Sequence, residues 1–104
     1  MRAGPRHDPA LVARLARGHR VVATGRVVSW LANHGYDAAE TIVAVLTSLP
    51  ERGRWTDSAA LMNGEVADEY VVSWEVDDWY VKLYVDDDLV VVNVWSCCWD
   101  GAVH

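Results

Sequence analysis

The sequence predicts an α+β domain in which N-terminal helices pack on one face of a small C-terminal antiparallel sheet. Apolar residues recur at helical spacing between residues 9 and 49, whereas they alternate with polar residues between residues 66 and 95. Clusters of aspartate interrupt the second pattern and are typical of turns. The chain has 104 residues, 52% of them hydrophobic. This suffices for one modest core, so we predict a single domain over residues 1–104, with a flexible N-terminus at 1–8 and a C-terminal tail at 97–104.

A helix followed by a short strand is expected at the start of the domain. Asp8 can cap a helix, and Pro9 occupies the first helical position, where the missing N–H of proline is tolerated. Gly18 is expected to end this helix. Residues 19–24, HRVVAT, contain three β-branched residues and favour a brief strand.

Two more helices are expected before residue 50. Residues 26–34 place apolar side chains at helical spacing, and Gly35 supplies a C-terminal cap. Asp37 then caps a helix with Glu40 three residues later, a capping-box arrangement, and Pro50 is expected to end it. The predicted buried stripe of this helix consists of Ile42, Val45, Leu46 and Leu49.

Strands are expected in the second half. Residues 50–64 are rich in Gly, Arg, Asp, Ser and Asn, which indicates a long loop or an irregular edge strand around Trp55. Three strands are then predicted at about residues 66–76, 79–85 and 89–95, with turns at residues 77–78 and 86–88.

The pairing of the last two strands decides which side chains are buried. If Asp86 pairs with Leu89, only aliphatic residues share the inner face, whereas a three-residue turn brings Asn93 into the core. The first pairing is therefore predicted. It buries Val81, Leu83, Val85, Val90, Val92 and Val94 together, and the same reasoning adds Tyr70, Val72 and Trp74 to that side.

The opposite face carries predicted rows of cross-strand neighbours, with Glu69 further along the same face. The rows are Glu75, Tyr80 and Trp95; Ser73, Lys82 and Asn93; and Val71, Tyr84 and Val91. A carboxylate, a phenol, a lysine and two large rings on one surface suggest a functional site. The same composition is also typical of an ordinary solvated face of an antiparallel sheet.

Charge is divided unevenly along the chain. Residues 1–54 hold eight arginines and four acidic residues, whereas residues 55–104 hold one lysine and eleven acidic residues. A phosphate backbone is therefore attracted to the first half and repelled by the second, and a basic protein partner prefers the second half.

Several classes of protein and site are disfavoured. The N-terminus MRAGPRHDPA lacks the apolar segment of a signal peptide, and no run reaches the roughly 18 apolar residues of a membrane span, so we predict a cytoplasmic location without membrane contact. The adjacent Cys97 and Cys98 form neither a disulfide framework nor a zinc knuckle, and we expect one buried and one exposed thiol. A zinc site of Cys97, Asp100 and His104 is the weaker alternative to a chain without metal or cofactor, which we predict.

The order of elements and their residues resemble the MqsR family, the toxins of bacterial type II toxin-antitoxin pairs. The resemblance runs from about Ala10 to Trp95. It is carried by ALVARLARGHRVVAT, a helix ending in GYD, IVAVLTSL, DEY at residues 68–70, YVK at residues 80–82 and VVVNVW at the position of the family's last strand. The resemblance implies a RelE-like α+β fold, metal-independent cleavage of messenger RNA, and neutralisation by an antitoxin.

The resemblance also implies site residues. The sheet tyrosine and the neighbouring lysine of the family correspond to Tyr80 and Lys82. Three further catalytic positions of the family, two lysines and a glutamine, are occupied here by other residue types: Thr56, Ala67 and Trp95. Arg52 and Arg54 lie close enough in sequence to Thr56 to replace the first lysine as phosphate ligands.

Such an enzyme needs a base for the ribose 2′-hydroxyl, an acid for the leaving oxygen and cations for the phosphorane. Glu75, beside Tyr80 in the predicted pairing, is the expected base, and Lys82 or Arg54 is the expected electrostatic stabiliser. Base stacking is assigned to Trp79, Tyr84 and Trp95, and a binding role to Arg52.

We therefore predict a toxin-type endoribonuclease that acts on messenger RNA and is held by a cognate antitoxin, without direct DNA contact. The alternative is a catalytically inactive relative that binds a protein through its acidic, aromatic sheet face, as an inhibitor or antitoxin-like module. The eleven carboxylates of the second half favour the alternative, because they repel RNA.

Overall fold

The computed structural model describes residues 4–102 and has the expected α+β fold. Four helices and five strands lie within this range. They are α1 (Pro9–Arg17), β1 (Val21–Ala23), α2 (Gly25–Asn33), α3 (Ala38–Thr47), α4 (Leu49–Arg52), β2 (Gly53–Ala60), β3 (Val66–Trp74), β4 (Asp77–Asp86) and β5 (Val91–Trp99).

The predicted helix starts at Asp8 and Asp37 are confirmed. The Asp8 carboxylate accepts a hydrogen bond from the Ala10 N–H at 2.9 Å, and the Asp37 carboxylate accepts one from the Glu40 N–H at 3.0 Å. Each aspartate thus satisfies a backbone donor that has no partner within its helix. Pro50 lies in the first turn of α4 and therefore begins a short helix directly after α3.

Gly35 terminates α2 as expected. Its φ of 84° lies in the left-handed region, which glycine enters without steric cost. The Gly35 N–H donates to the Ala32 carbonyl at 3.2 Å, and the Tyr36 N–H donates to the Leu31 carbonyl at 3.0 Å. These two bonds form a Schellman motif, which turns the chain sharply from α2 toward α3.

The sheet has the strand order β1-β5-β4-β3-β2, with β1 and β2 at its edges. Strand β1 runs parallel to β5, and the other three pairs are antiparallel. The predicted C-terminal antiparallel sheet is confirmed for β2 to β5. The short strand β1 joins it in parallel, since the long connection after β1 allows a parallel return. Strand β2 contains an irregularity between Trp55 and Asp57, which confirms the irregular edge strand considered for this segment.

The predicted inner face of the sheet is confirmed, except at Val90 and at Trp74, which is only partly buried. The predicted pairing of Asp86 with Leu89 is wrong, because Asp86 pairs with Val91; this shift by two residues keeps each side chain on its face. Val81, Leu83, Val85, Val92 and Val94 are buried together with Tyr70 and Val72, and the stripe of α3 packs in the same core. Val90 is 46% exposed, because it lies in the turn before β5.

The turn between β3 and β4 lies two residues earlier than predicted. Glu75 and Val76 form it, with Trp74 paired to Asp77, and Val76 is 95% exposed. Tyr80 consequently pairs with Val71, whereas the predicted row placed it beside Glu75. The pairing changed by an even number of residues, so every side chain kept its predicted face while its cross-strand partners changed.

A β-bulge in β5 corrects the predicted C-terminal tail. Leu83 pairs with Val94 and Lys82 pairs with Ser96, which leaves Trp95 as the extra residue. Strand β5 continues to Trp99, so residues 97–99 belong to the sheet. Because the bulge reverses the alternation, Cys97 and Trp99 face the core. Both thiols, Cys97 and Cys98, are buried, so the expectation of one exposed thiol is wrong.

The segment before α1 is tied to the sheet at Asp68. The Arg6 and His7 N–H groups donate to the two oxygens of the Asp68 carboxylate, each at 2.8 Å, and the Ser58 hydroxyl donates to Oδ1 at 2.7 Å. Asp68 is 0% exposed, and these three bonds satisfy its buried charge. Arg6 and His7, which belong to the segment predicted to be flexible, are thus hydrogen-bonded to the sheet; residues 1–3 lie outside the described range.

None of the helices within residues 4–102 combines the length and the apolar character that crossing a bilayer requires.

Candidate functional site

The candidate site lies on the face of the sheet opposite the helices, called here the open face. Cross-strand pairing places these residues on it: Arg54 and Asp57 from β2, Glu69 and Val71 from β3, Tyr80, Lys82 and Tyr84 from β4, and Asn93, Trp95 and Ser96 from β5. Most of them are at least partly exposed, whereas most of their neighbours along β3 and β4 are buried.

Tyr80 and Glu69 form the central contact of the open face. The Tyr80 hydroxyl donates to Glu69 Oε1 at 2.5 Å. Partial burial, together with this hydrogen bond and the charge of Glu69, raises the pKa of Tyr80 above its usual value. The phenol therefore stays protonated near neutral pH and acts as a hydrogen-bond donor.

Lys82 lies directly opposite Glu69. The two residues are paired in the β3-β4 ladder, and the same row continues to Asp57 on β2 and Ser96 on β5. Paired side chains on one face have Cβ atoms about 5 Å apart. The ladder thus places the Lys82 side chain opposite the residue whose carboxylate accepts the Tyr80 hydroxyl.

Arg54 shares a row with Tyr80. It pairs with Val71, which in turn pairs with Tyr80. The spacing of strands puts its Cα about 10 Å from that of Tyr80, a separation that a guanidinium side chain can largely bridge. Arg52, by contrast, is an exposed residue at the end of α4, outside the sheet.

The expected pairing of Glu75 with Tyr80 is wrong. Glu75 lies in the exposed β3-β4 turn with a φ of 56°. The ladder places Tyr80 opposite Val71, and its hydroxyl bonds to Glu69. The carboxylate next to the predicted tyrosine therefore comes from Glu69.

The three predicted aromatic contacts have different environments. Trp79 faces the core and is 0% exposed, so its assignment to RNA or partner binding is wrong. Its ring packs edge-on against Trp30, Tyr36 and Trp74. This inner position follows from the alternation of β4, since Trp79 and Val81 share a face.

Tyr84 and Trp95 do lie on the open face. Their ring centroids are 6.4 Å apart, and the Asn63 amide donates to the Tyr84 hydroxyl at 3.3 Å. Tyr84 is buried, with 8% of its surface exposed, whereas Trp95 is partly exposed at the bulge. Trp95 therefore offers the more accessible ring for stacking.

No metal-binding site is evident among the described residues. No group of three or more His, Cys, Asp or Glu residues within residues 4–102 is arranged to hold an ion. His104, one member of the zinc alternative, lies outside the described residues. Burial raises the pKa of the Cys97 thiol to about 12, with a further contribution from Cys98.

Glu69 is the site residue that sequence reasoning missed as a candidate. Alternation already placed it on the same face as Tyr80 and Lys82. The position of the β3-β4 turn decides whether Glu69 or Glu75 lies next to Tyr80 and Lys82. The adjacent aspartates at residues 77–78 favoured a turn that the structure does not have.

Comparison of the chain with family models, with curated proteins and with solved structures finds no match. The resemblance to the MqsR toxins therefore stays a prediction from the residues quoted above.

Proposed function

We propose that this chain is an MqsR-like toxin that cleaves single-stranded messenger RNA on the open face, without a metal ion, and that a cognate antitoxin restrains it in the cytoplasm. One observation carries the proposal: the Tyr80 hydroxyl bonds to Glu69, and Lys82 is paired with the same carboxylate. A carboxylate and a phenol are thus in contact, and a lysine lies at the neighbouring ladder position on the same face.

Each group has a part in the proposed reaction. Glu69 removes the proton from the ribose 2′-hydroxyl, whose oxygen then attacks the adjacent phosphorus. Lys82 stabilises the negative charge that develops on the phosphorane oxygens, and Arg54 assists from the next row. The bond from phosphorus to the 5′-oxygen breaks, and the leaving oxygen takes up a proton. The products are a 2′,3′-cyclic phosphate and a 5′-hydroxyl.

Tyr80 is assigned two tasks in this scheme. Its hydroxyl orients the Glu69 carboxylate, and its raised pKa keeps the proton on the phenol near neutral pH. Once Glu69 has taken up the proton of the 2′-hydroxyl and become neutral, the Tyr80 hydroxyl can donate its own proton to the leaving oxygen. Trp95, partly exposed on the same face, supplies a ring on which a nucleobase can stack.

The second candidate is a catalytically inactive module that binds a basic protein through the open face. The observation that favours it is the charge of the open face. Two acidic residues, Asp57 and Glu69, balance two basic residues, Arg54 and Lys82, and the second half of the chain is strongly acidic. A surface without excess positive charge attracts RNA weakly, since phosphate contacts supply most of the non-specific affinity.

The two candidates separate in one experiment. The purified chain is mixed with an end-labelled single-stranded RNA in excess EDTA, and growth is followed after induced expression. We expect cleavage that leaves a 2′,3′-cyclic phosphate, growth arrest, and a loss of about 10²-fold or more in rate for Glu69→Gln. Glu75→Gln is the matched control, and its rate should equal that of the unsubstituted chain.

No cleavage and no arrest would reject the ribonuclease proposal in favour of the binding module. Equal losses in the two glutamine variants would reject the role assigned to Glu69. For the binding module, Trp95→Ala should weaken capture of a basic protein, because large rings supply much of the affinity of such interfaces.

A further inference from the structure

An apolar groove of about 340 Å³ runs along the edge of the sheet, on the side away from the Tyr80 site. Strand β1 is the edge strand here. Val21 and Ala23 of β1 form one wall of the groove, Val28 of α2 adds to it, and Ala39 and Val43 of α3 form the other wall. The helices therefore extend past the last strand, over a space that the sheet does not fill.

The backbone of β1 is suited to receive another strand at this edge. The Val92 N–H donates to the Arg20 carbonyl at 2.9 Å, and the Thr24 N–H donates to the Val94 carbonyl at 3.2 Å. In a parallel ladder the polar groups of alternate residues point to opposite sides. The N–H and C=O groups of Val21 and Ala23 consequently point away from β5, toward the groove edge.

The charges around β1 are positive. Residues 14–26 contain four arginines, all exposed, and no carboxylate. Arg20 precedes β1, and its guanidinium donates to the Val90 carbonyl at 3.1 Å and to the Leu89 carbonyl at 2.5 Å. Arg26 follows the strand, so each end of β1 has a cation beside it. Glu40 on α3 is the acidic residue that lines the adjoining part of the groove. Positive charge thus predominates around β1, whereas negative charge predominates in residues 55–104.

We propose that the β1 edge binds an extended acidic segment of a partner protein as a sixth strand. Alternate apolar side chains of this segment fill the groove beneath α2 and α3, and its carboxylates face Arg20 and Arg26. Main-chain hydrogen bonds to Val21 and Ala23 supply much of the affinity, as in other cases of strand addition. The phosphates of RNA could pair with the arginines, but RNA would not bury the apolar walls of the groove. A protein segment can do both, so it is the better occupant. The proposal is independent of catalysis on the open face.

A displayed library of random eight-residue peptides tests this proposal directly. Peptides enriched on the full chain should alternate apolar residues with Asp or Glu. A synthetic peptide of the consensus should shift the backbone amide resonances of Val21 and Ala23 and the methyl resonances of Val28 and Val43. Its binding should weaken as sodium chloride rises, since exposed charges are screened by salt.

Two alanine-to-glutamate substitutions on helix surfaces, one inside the groove and one outside it, show whether the peptide binds in the groove. Ala39→Glu puts a carboxylate into the groove and should raise the Kd of the peptide by about tenfold or more, because the charge is unpaired among apolar side chains. Ala32→Glu, on an exposed position of α2 outside the groove, should leave the Kd unchanged. Circular dichroism melting establishes that both variants are folded.

Four outcomes would overturn the proposal. Two concern the library: the same peptides are enriched equally on the Ala39→Glu variant, or the enriched consensus is basic. Two concern the occupant: a single-stranded RNA produces the same shifts at Val21 and Ala23, or the chain forms a homodimer that buries β1. Because none of these readouts depends on RNA cleavage, failure here and failure of the ribonuclease proposal can be told apart.

Discussion

The Tyr80 hydroxyl on β4 lies 2.5 Å from Glu69 Oε1 on β3, diagonally across the ladder that pairs Glu69 with Lys82. This contact links the tyrosine expected from the sequence to a carboxylate that the sequence did not single out. It also ties two strands together on the face that lacks helices.

Tyr80→Phe should separate chemistry from stability. It removes one hydroxyl from a partly exposed ring, so the free energy of unfolding should change by only about 1 kcal/mol. The rate of RNA cleavage should fall by about tenfold or more, because Glu69 loses its orienting donor and the leaving oxygen loses its acid. Urea unfolding and single-turnover kinetics measure the two effects. A variant with full activity would remove Tyr80 from the mechanism, and a variant that unfolds would assign it to structure alone.

Asp68→Ala should destabilise the domain by roughly 2–4 kcal/mol, since the partly buried N–H groups of Arg6 and His7 and the Ser58 hydroxyl lose their charged acceptor. Asp87→Ala, in the exposed turn after β4, should stay within about 0.5 kcal/mol of the unsubstituted chain. Urea unfolding at pH 7 measures both. Similar small changes in the two variants would mean that residues 6–8 do not contribute to stability.

Val90→Gly should stabilise the domain by about 0.5–1 kcal/mol. Val90 has a φ of 53°, a left-handed conformation that is strained for a β-branched residue, and its side chain is largely exposed. Glycine relieves this strain, at the expense of a more flexible unfolded chain. Leu89→Gly is the control, because Leu89 has no such φ, and it should be neutral or destabilising. Thermal melting distinguishes the two, and a loss of stability at position 90 would contradict the argument from strain.

Stability should fall as the pH rises above about 8.5, the usual pKa of a cysteine thiol in an unfolded chain. Burial raises the pKa of Cys97 to about 12 and that of Cys98 to about 11, with the charge of Asp100 as a further cause for Cys98. The unfolded chain therefore releases these protons first, which favours unfolding by at most about 1.4 kcal/mol per pH unit for Cys97. Urea unfolding at pH 7 to 10 measures the slope.

The double variant Cys97→Ala, Cys98→Ala is the control for this slope. Its stability should depend less on pH between about 8.5 and 10, although it should be lower at pH 7 because small cavities remain. Burial also raises the pKa of Tyr70, with Asp68 and Asp8 contributing, so a further decline is expected above about pH 10 in both proteins. An equal slope in the control would assign the pH dependence to other groups.

The sequence by itself determined where α1, α2 and α3 lie and which side of β3 and β4 is buried. Asp8, Gly35 and Asp37 act through backbone groups a few residues away, and such local contacts are visible in the order of residues. The inner face was predictable at Val81, Leu83 and Val92 because side chains alternate whatever their partners are.

Only the tertiary structure decided which residues meet across the strands. A shift by an even number of residues leaves every side chain on its face, so hydrophobic burial does not distinguish Glu69 from Glu75 as the neighbour of Tyr80. Likewise, the bulge at Trp95, the parallel pairing of β1 and the burial of Asp68 by Arg6 and His7 depend on contacts between distant parts of the chain. The free energy of such contacts depends on their final geometry, which alternation and local propensity do not specify.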